Sequence, residues 1–535
     1  MLIALIISVL YGCETSEKTE EIQLYINTKI INQGVTSFSE KGLYVDKGRI
    51  VGQGLREKKL TAKDSITEGF VYPGFIDAHC HFWGYATVNN WVDLVGTKSF
   101  DEVLDRVQEY HQKNQSLVIL GRGWDQNDWD NKDFPINERL NELFPDVSVM
   151  LTRVDGHAML VNDVVLKMNG ITESSFIEGG EVVLKNGKPT GLLIDNAKSL
   201  VHTKVSNNQM IQDLLTAQQN CLAVGLTTLD DAGLDYQQIN VIDSLQREGD
   251  LLLRFYIMAS DNDENMAYYS KNGPLKTDRL NVRSFKLYAD GALGSRGALL
   301  KEEYSDHHGH GLQLSSKEHF RKRAEQLYDM GFQMNTHAIG DSANKLLLSI
   351  YKEVLGGKND KRWRIEHAQV VDKYDFSLFE EYSVLPSVQP THATSDMYWA
   401  DERLGNKRIK GAYAYKQLLE TNGVLPLGTD FPVEDINPLK TFYAAVLRKD
   451  VSGYPEDGFQ MENALTRSEA LKGMTIWAAY SNFEEDEKGS IEEGKLADFT
   501  VLDTDLLNCS PEEILNAKVL YTVINGEIVY RAENH

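Results

Sequence analysis

The stretch that decides the fold of this chain is YPGFIDAHCH, residues 72–81. Its apolar part, Tyr72–Ala78, predicts a buried β-strand, and two histidines follow where that strand ends. Because side chains two residues apart in an extended segment point to the same side, His79 and His81 are placed to hold one metal ion together. A single HxH triplet also arises by chance, so a structural histidine pair remains the alternative for this stretch alone.

Seven further apolar runs alternate with helix-like segments, which is the pattern of βαβ units. They are Leu226–Asp231, Leu253–Met258, Ser284–Ala289, Phe332–Thr336, Arg364–Glu366, Val384–Val388 and Val424–Leu427. Eight such strands predict an α/β protein built on a TIM (β/α)8 barrel. The long gap after the first strand, about residues 84–215, contains strand-like runs and predicts a large insertion over the barrel mouth.

Both ends of the chain have the alternating pattern of short β-strands. The pattern covers residues 22–70 and 485–535, and Asn525-Gly526 is a strong hairpin signal. We therefore expect a small β-sandwich domain built from both termini, residues 22–70 plus 485–535. The barrel domain would then comprise residues 71–484.

Ligand-type side chains stand at or near the ends of four further predicted strands. They are Lys286, His337, His367 and Asp430. The active site of a TIM barrel lies at the C-terminal ends of its strands, so these side chains and the histidine pair are expected to meet. Imidazole and carboxylate groups suit zinc and similar divalent ions. We therefore predict a metal-dependent catalytic site, although any one of these histidines alone is also compatible with a core position.

At this point the sequence resembles the amidohydrolase superfamily, and within it the YtcJ-like branch, which includes N-substituted formamide deformylases. The resemblance covers nearly everything after residue 22. The phrases that carry it are PGFIDAH (73–79), RGWD (122–125), RVDGHA (153–158), KLYADG (286–291), HAIGD (337–341), RIEHAQ (364–369) and GSIEEGKLAD (489–498).

The resemblance implies a TIM barrel beside a β-sandwich made from both termini, and a role for each ligand residue. His79 and His81 would bind one metal ion. His337 and His367 would bind a second, with a carbamylated Lys286 bridging the two. The implied cofactors are one or two divalent ions, zinc first, with manganese, iron or cobalt as alternatives. If Lys286 instead faces solvent or forms an ion pair, a one-metal site is expected.

Asp430 is the predicted general base and acid. A divalent ion lowers the pKa of a bound water, and a carboxylate beside that water can take its proton and deliver it to a leaving nitrogen. The predicted function is metal-dependent hydrolysis of a C–N bond in amide- or formamide-like substrates. One alternative is an esterase or lactonase on the same barrel. Another is a metal-containing binding lipoprotein without turnover, which would have no use for a proton shuttle.

The predicted substrate contacts are less sharply defined. They are Trp124, Asp155, His157, Arg296 and Gln369. The first three belong to the insertion that should cap the barrel mouth, and the resemblance makes His157 a substrate or oxyanion contact. The alternative for His157 is a residue that only holds the cap in place. For Arg296 the alternative is an ion pair with an acidic neighbour.

The charge balance of the 535-residue chain bears on its partners. Lys plus Arg number 55 and Asp plus Glu number 79, for a formal net charge of −24. So acidic a chain without a basic run repels nucleic acid phosphates, and nucleic-acid binding is excluded. The expected partner is a small-molecule substrate, and the oligomeric state is left open, with a homodimer as one option.

The N-terminal segment predicts export and a lipid anchor. Residues 1–10, MLIALIISVL, are followed by Gly12-Cys13 and a polar stretch up to residue 21. An apolar run of that length, a small residue and a cysteine in this order are typical of a lipoprotein signal. Residues 1–21 would be signal and tether, with the lipid on Cys13 holding the protein at the bacterial cell envelope, periplasmic or outer membrane. The alternative is an apolar N-terminal strand with an incidental cysteine.

Overall fold

The computed structural model describes residues 20–38, 42–53, 60–88, 91–202 and 207–533. Its centre is a sheet of parallel strands curled into a barrel. In spatial order these strands are Phe75–Cys80, Leu226–Leu234, Arg254–Ser260, Leu280–Tyr288, Gln333–Ala338, Arg364–His367 and Leu385–Ser387. Nearly all of their residues are buried, as expected of parallel strands covered on both faces.

The eighth strand of the barrel is reduced to a short bridge at Leu427. Leu427 pairs in parallel with Val388, and its carbonyl accepts a hydrogen bond of 3.1 Å from the N–H of Ala78. Pro426 has no N–H to donate, which limits the ladder. The barrel thus closes between its first and seventh strands. The predicted TIM barrel is confirmed, with an eighth strand shorter than the predicted Val424–Leu427.

Helices surround the barrel. They are Phe82–Val88, Asn207–Ala223, Tyr236–Glu248, Asp263–Asn272, Lys317–Met330, Asp341–Leu355, Phe376–Glu381, Pro390–Asp396, Ala400–Arg408, Tyr415–Asn422, Pro438–Leu447, Arg467–Gly473, Ile476–Ser481 and Pro511–Asn516. Short 3-10 turns occur at Ile409–Gly411 and Met461–Asn463. A two-residue strand, Leu275–Lys276, pairs with the edge of Leu280–Tyr288.

The helix Lys317–Met330 shows why these segments begin and end where they do. Ser316 accepts a hydrogen bond from the N–H of His319 and caps the start, and Gly331 ends the helix with a φ of 75°. Phe320 and Leu327 are both buried and lie on the same face of the helix, two turns apart. The helix packs that face on the barrel.

Strands from both ends of the chain form a second β-unit. One sheet has the order Arg49–Gln53, Leu43–Asp46, Glu20–Ile26 and Leu60–Ile66, and the other Glu527–Arg531, Val519–Ile524, Phe499–Leu502, Phe70–Pro73, Lys29–Asn32 and Val35–Phe38. Positive φ at Asn525 and Gly526 gives the tight hairpin turn that the sequence predicts. An apolar core that includes Leu24 and Phe499 joins the two sheets, so the β-sandwich built from both termini is confirmed.

The segment between the first two barrel strands folds as a sheet of its own, which is the predicted insertion. Its strands are, in spatial order, Gly180–Lys185, Lys188–Asp195, Ala158–Val161, Ser148–Arg153, Val118–Trp124 and Val92–Asp93. The helices Phe100–Asn114, Glu138–Leu143 and Asp163–Met168 and the 3-10 turns Gln126–Asp128 and Asn196–Leu200 complete it. It has a separate apolar core, in which Leu151 and Leu160 are fully buried.

The predicted signal segment, with its lipid-attachment residue Cys13, lies outside the described residues. Among the helices that are described, none combines the length and the apolar character needed to cross a membrane. The exact division of the chain into residues 22–70 plus 485–535 and 71–484 stays a prediction.

Candidate metal centre and substrate cavity

A cavity of about 1200 Å³ lies at the C-terminal ends of the barrel strands. Its floor is formed by barrel residues, among them His81, Lys286 and Asp430. Its walls include insertion residues such as Arg122 and His157. Because active sites of TIM barrels lie at this end, the cavity is the candidate active site.

Asp430 stands at the centre of a group of imidazoles. Its Oδ1 lies 3.1 Å from His81 Nε2 and 3.7 Å from His79 Nε2. One ligand atom from each of these three residues falls within 4.8 Å of the others, a spacing that suits a shared metal ion. The backbone N–H of Asp430 also donates to the carbonyl of His79 at 2.7 Å, which ties the eighth-strand segment to the first strand.

A second triad of candidate ligands shares Asp430 and adds His367 and His392. His392 Nε2 is 3.5 Å from Asp430 Oδ2, and its ring stacks on that of His367 with centroids 5.8 Å apart. His392 is not among the predicted site residues. It lies in the helix Pro390–Asp396, directly after the seventh barrel strand, and that position after a strand end is the signal that would have found it.

In three of the imidazoles, the Nδ1 nitrogen is hydrogen-bonded to an acceptor on the barrel. The Nδ1 contacts are His79 to Glu366 Oε2 at 2.5 Å, His81 to the Ala232 carbonyl at 2.9 Å and His367 to Gln389 Oε1 at 2.7 Å. An acceptor at Nδ1 fixes the proton on that atom and leaves the Nε2 lone pair free. This is the tautomer a metal-binding histidine needs.

The protonation states of the floor also suit a cation. Burial lowers the pKa of His79 to about 4 and holds the pKa values of His337 and His367 well below the ordinary histidine value. Burial alone would raise the pKa of Asp430, but its hydrogen bond with His81 and its closeness to the imidazoles of His79 and His367 hold that pKa well below its usual range. Neutral imidazoles and an ionised carboxylate are the forms that bind a metal ion.

Lys286 is buried beside this group. Its Nζ lies 3.0 Å from His79 Nε2 and 5.1 Å from the ring centroid of Tyr288. Burial lowers the pKa of Lys286 to about 8, and nearby carboxylates, chiefly Glu366, oppose that shift. The side chain therefore faces the imidazoles and not solvent.

His337 lies between the floor and the insertion. Its ring centroid is 4.6 Å from that of His367 and 5.1 Å from that of His157. The two histidines predicted as a pair, His337 and His367, are therefore neighbours in the structure. His157 of the insertion packs against them from the cavity side.

Two buried imidazole nitrogens of the floor have no hydrogen-bond partner among the described residues. They are His337 Nε2 and His392 Nε2. Buried polar atoms are almost always satisfied, so such a cluster calls for an explanation. A donor set of imidazoles and a carboxylate matches zinc and related divalent ions. The residues present therefore fit a divalent metal.

Backbone strain marks the same place. His367 has a φ of 73° and Asp430 a φ of 65°, both in the left-handed region that non-glycine residues rarely adopt. Such conformations cost about 1–3 kcal/mol each and concentrate at functional sites. Two of the candidate ligands thus sit at strained strand ends.

The insertion supplies an ordered set of charged side chains to the cavity wall. His157 Nδ1 lies 2.5 Å from Asp195 Oδ1, and the backbone N–H of His157 donates to Asp155 at 2.9 Å. Arg153 forms ion pairs with both Asp155 and Asp125. Asp195, the last residue of an insertion strand, is not among the predicted site residues, and nothing in its local sequence indicates a pairing with His157.

Of the predicted substrate contacts Gln369 and Arg296, only the first lines the cavity among the described residues. Gln369 lines the cavity, where its Nε2 donates to Asp396 Oδ2 at 3.1 Å. Arg296 is not among the described residues that line the cavity. Its Nη2 instead donates to Asp306 Oδ2 at 2.9 Å, which is the ion pair weighed as its alternative.

Trp124 lies in the core of the insertion and not on the cavity wall. Only 1% of its surface is exposed, and its indole N–H donates to the carbonyl of Leu151 at 2.8 Å. The pairing of its strand with Ser148–Arg153 shifts register between Arg122 and Trp124. This bulge reverses the alternation of side chains, so Arg122 faces the cavity and Trp124 faces the core.

Comparison with known proteins agrees with this site. The model of the amidohydrolase family, Amidohydro_3, matches residues 67–530. The chain belongs to this family. YtcJ of Bacillus subtilis (strain 168), which its name places among the amidohydrolases, is 32% identical over 513 residues, 92% of this chain and 96% of the relative. The N-substituted formamide deformylase of Arthrobacter pascens is 25% identical over 538 residues, 95% of this chain and 98% of the relative.

The fold also recurs among solved structures. An uncharacterized metal-dependent hydrolase from Pyrococcus horikoshii OT3 superposes with a TM-score of 0.73 at 24% identity, covering 91% of this chain and 99% of the other. At that identity the likeness establishes the fold. Family membership makes the chain a metal-dependent hydrolase, with its histidines and Asp430 as candidate metal-binding residues.

Proposed function

We propose that this amidohydrolase hydrolyses a C–N bond in amide- or formamide-like small molecules. The observation that carries the proposal is the position of Asp430, whose carboxylate contacts the imidazoles of His79 and His81 at the cavity floor. The relative from A. pascens is named for the deformylation of N-substituted formamides and aligns along nearly the whole chain. That relationship favours amide-like over ester substrates.

The proposed cofactor is zinc, as one or two ions. The Nε2 atoms of His79 and His81 would hold one ion, and His337 and His367 would hold a second. When bound, such an ion would polarise a substrate carbonyl and lower the pKa of a water molecule. Replacement of His79 by Ala should remove metal from the purified protein, as measured by elemental analysis.

Asp430 is the proposed proton carrier. Its pKa lies well below its ordinary value, so the carboxylate is ionised near neutral pH. A bound ion would lower the pKa of the water beside it, which would let this weak base accept the proton. The same carboxylate would return that proton to the leaving nitrogen. His392 Nε2 lies 3.5 Å from the second carboxylate oxygen and is a further candidate ligand beside it.

We also propose that Lys286 carries a carbamate. Burial lowers its pKa to about 8, so a fraction of the side chain is a neutral amine near neutral pH. A neutral amine adds to carbon dioxide and releases one proton. Native mass spectrometry should detect the added mass of one CO₂ in the wild type and not in Lys286→Ala.

The direct test of the proposed function is a substrate panel. N-formyl and N-acetyl amines are compared with esters and lactones of matched size, on protein loaded with zinc. We expect hydrolysis of the formyl and acetyl amines. Hydrolysis of esters and lactones alone would replace the C–N assignment by the esterase alternative, and turnover of none of them would favour the binding-protein alternative.

We further propose a lipid anchor at Cys13 that places the enzyme at the bacterial cell envelope. The support is the sequence of the N-terminal segment alone. Metabolic labelling with a radioactive fatty acid should label the wild type and not Cys13→Ser, and the variant should move from the membrane fraction to the soluble fraction.

A further inference from the structure

Two arginines of the insertion line the cavity, and their surroundings differ. Arg153 is 1% exposed, and its guanidinium is shared between Asp125 and Asp155, with a further hydrogen bond of 2.9 Å to Gln126. Arg122 is partly buried and forms no ion pair with a carboxylate among the residues that the structure describes. The guanidinium of Arg153 is therefore in direct contact with two carboxylates, whereas that of Arg122 contacts none among the described residues.

The backbone explains why Arg122 points into the cavity. Along Val118–Trp124 the partly exposed and the buried residues alternate up to Arg122, after which the bulge begins. Gly123 adopts a φ of 115°, and a Cβ at this position would collide with Val95. Only glycine allows this bend, so the local sequence fixes the direction of the Arg122 side chain.

The guanidinium of Arg122 has unused donors. Its Nη2 donates to the carbonyl of Val154 at 2.9 Å, which anchors the group. Its Nε is buried without a hydrogen-bond partner among the described residues. Its Nη1 faces Gly156, where the absence of a side chain leaves the guanidinium uncovered. Because Nε is enclosed, the two Nη atoms form the edge through which such an anchored group binds a carboxylate by two parallel hydrogen bonds.

The pKa of Arg122 agrees with the absence of a carboxylate in direct contact with its guanidinium. Burial lowers its pKa, and the charges of Asp155 and Asp430 only partly offset that effect. The pKa of Arg153 is raised by its two carboxylates in spite of its burial. The charge of Asp155 acts on Arg122 through space, but its carboxylate oxygens accept hydrogen bonds from Arg153 and from the N–H of His157.

We propose that Arg122 binds a carboxylate of the substrate, so that the substrates are N-formyl- or N-acylamino acids or close analogues. This inference rests on the proposed function, because it places an anion at the wall while the C–N bond lies at the floor. Lys198, which donates to the carbonyl of Gly156, adds a second positive charge beside the same turn. A planar anion at Arg122 would therefore meet positive charge in a chain that is otherwise strongly acidic.

The test compares each acid with its own carboxamide. N-formyl-leucine and N-formyl-phenylalanine are assayed against the corresponding carboxamides, which differ only in the charged group. The wild type should prefer the acids in kcat/KM. Arg122→Gln should lower kcat/KM for the acids by roughly 10- to 100-fold, mainly through KM, because a charge-assisted bidentate contact is lost. The carboxamides should be affected less than about twofold, and Arg122→Lys should fall between wild type and Arg122→Gln.

Binding is measured separately from turnover. Calorimetric titration of N-formyl-leucine and its carboxamide into the inactive Asp430→Asn protein, with and without Arg122→Gln, reports the subsite directly. Arg139→Gln removes one positive charge from the exposed surface of the same insertion and serves as the matched control. Thermal unfolding confirms that each variant is folded.

The outcomes separate the two proposals. Equal binding and hydrolysis of acid and carboxamide, unchanged by Arg122→Gln, would overturn the carboxylate subsite and leave C–N hydrolysis standing. Acid binding that requires Arg122, with no hydrolysis of any amide, would support the subsite and overturn the proposed function. An equal loss for acid and carboxamide in a folded Arg122→Gln protein would assign Arg122 a structural role and would also overturn the subsite.

Discussion

The floor and the wall of the cavity are organised by different rules. On the barrel floor, the Nδ1 atoms of His79, His81 and His367 are hydrogen-bonded to the barrel. Their Nε2 atoms remain free and surround Asp430. On the insertion wall, side chains such as Arg153 and His157 are paired mainly with other insertion residues. The floor therefore presents open ligand atoms for chemistry, while the wall presents a mostly neutralised surface in which Arg122 stands out. The difference agrees with the proposals that the barrel floor carries out catalysis and that the insertion selects the substrate.

The largest effect is expected from Asp430→Asn on the floor. The amide keeps an oxygen for the metal but cannot accept the proton, so kcat should fall on the order of 10²- to 10⁴-fold while metal content and folding stay close to wild type. Asp457→Asn, at an exposed position outside the cavity lining, is the matched control and should retain activity. Retained turnover in a metal-loaded Asp430→Asn protein would refute the proton-carrier role.

On the wall, the largest effect should be on stability. Arg153→Met leaves Asp125 and Asp155 without their shared cation, and loss of one partner of a buried ion pair costs about 3–5 kcal/mol. Urea unfolding should detect this loss in the free energy of unfolding. The exposed pair of Arg139 and Asp101 provides the comparison, because Arg139→Gln should cost only about 0–1 kcal/mol. Equal costs for the two variants would contradict the internal neutralisation of the wall.

The support of the floor histidines can be tested at Glu366. Glu366 is fully buried and holds Nδ1 of His79, so Glu366→Gln should weaken metal binding by about 10- to 100-fold. Competition with a chelating dye measures the affinity. Glu380→Gln, an exposed residue of a nearby helix, should leave it unchanged. Wild-type affinity in Glu366→Gln would show that the histidine needs no such support.

The smallest effect concerns pH and Asp396, which accepts hydrogen bonds from Gln369 and Tyr413. Burial raises the pKa of Asp396 to about 7. The unfolded chain has already lost this proton, so the raised pKa makes the wild type lose stability as pH rises from 6 to 8. Asp396→Asn should remove about 1 kcal/mol of that decline in the free energy of unfolding. One pKa unit is worth about 1.4 kcal/mol, and solvent reduces this value because Asp396 is partly exposed. Parallel stability curves for the two proteins would argue against the raised pKa.

The sequence predicts the floor far better than the wall. Each predicted ligand stands at or near the end of a barrel strand. Parallel strands bring these ends to one edge of the barrel, so the sequence pattern alone predicts that His79, His337 and Asp430 lie close together. The same rule applied to the seventh strand would have included His392. The terminal β-sandwich is predictable for a similar reason, because Asn525-Gly526 and the alternating strands are local signals.

The wall depends on contacts that no local pattern encodes. Trp124 was predicted as a substrate contact because it belongs to the insertion over the barrel mouth, but at the bulge beside Gly123 its side chain turns into the core. The pairing of His157 with Asp195 joins residues 38 positions apart across the insertion. Register shifts and pairings of this kind emerge only from the folded sheet.

Metal content per chain is the measurement that tests the central claim most directly. Elemental analysis of the purified wild-type chain, loaded with zinc and freed of excess ion, would be run beside Lys286→Ala and the exposed-site control Arg139→Gln. The account predicts two equivalents in the wild type and the control, and fewer in Lys286→Ala, because that variant loses the side chain that would carry the carbamate ligand. One equivalent that Lys286→Ala retains would leave a single-metal floor without a bridging lysine. A wild-type chain that holds no metal under these conditions would contradict the account.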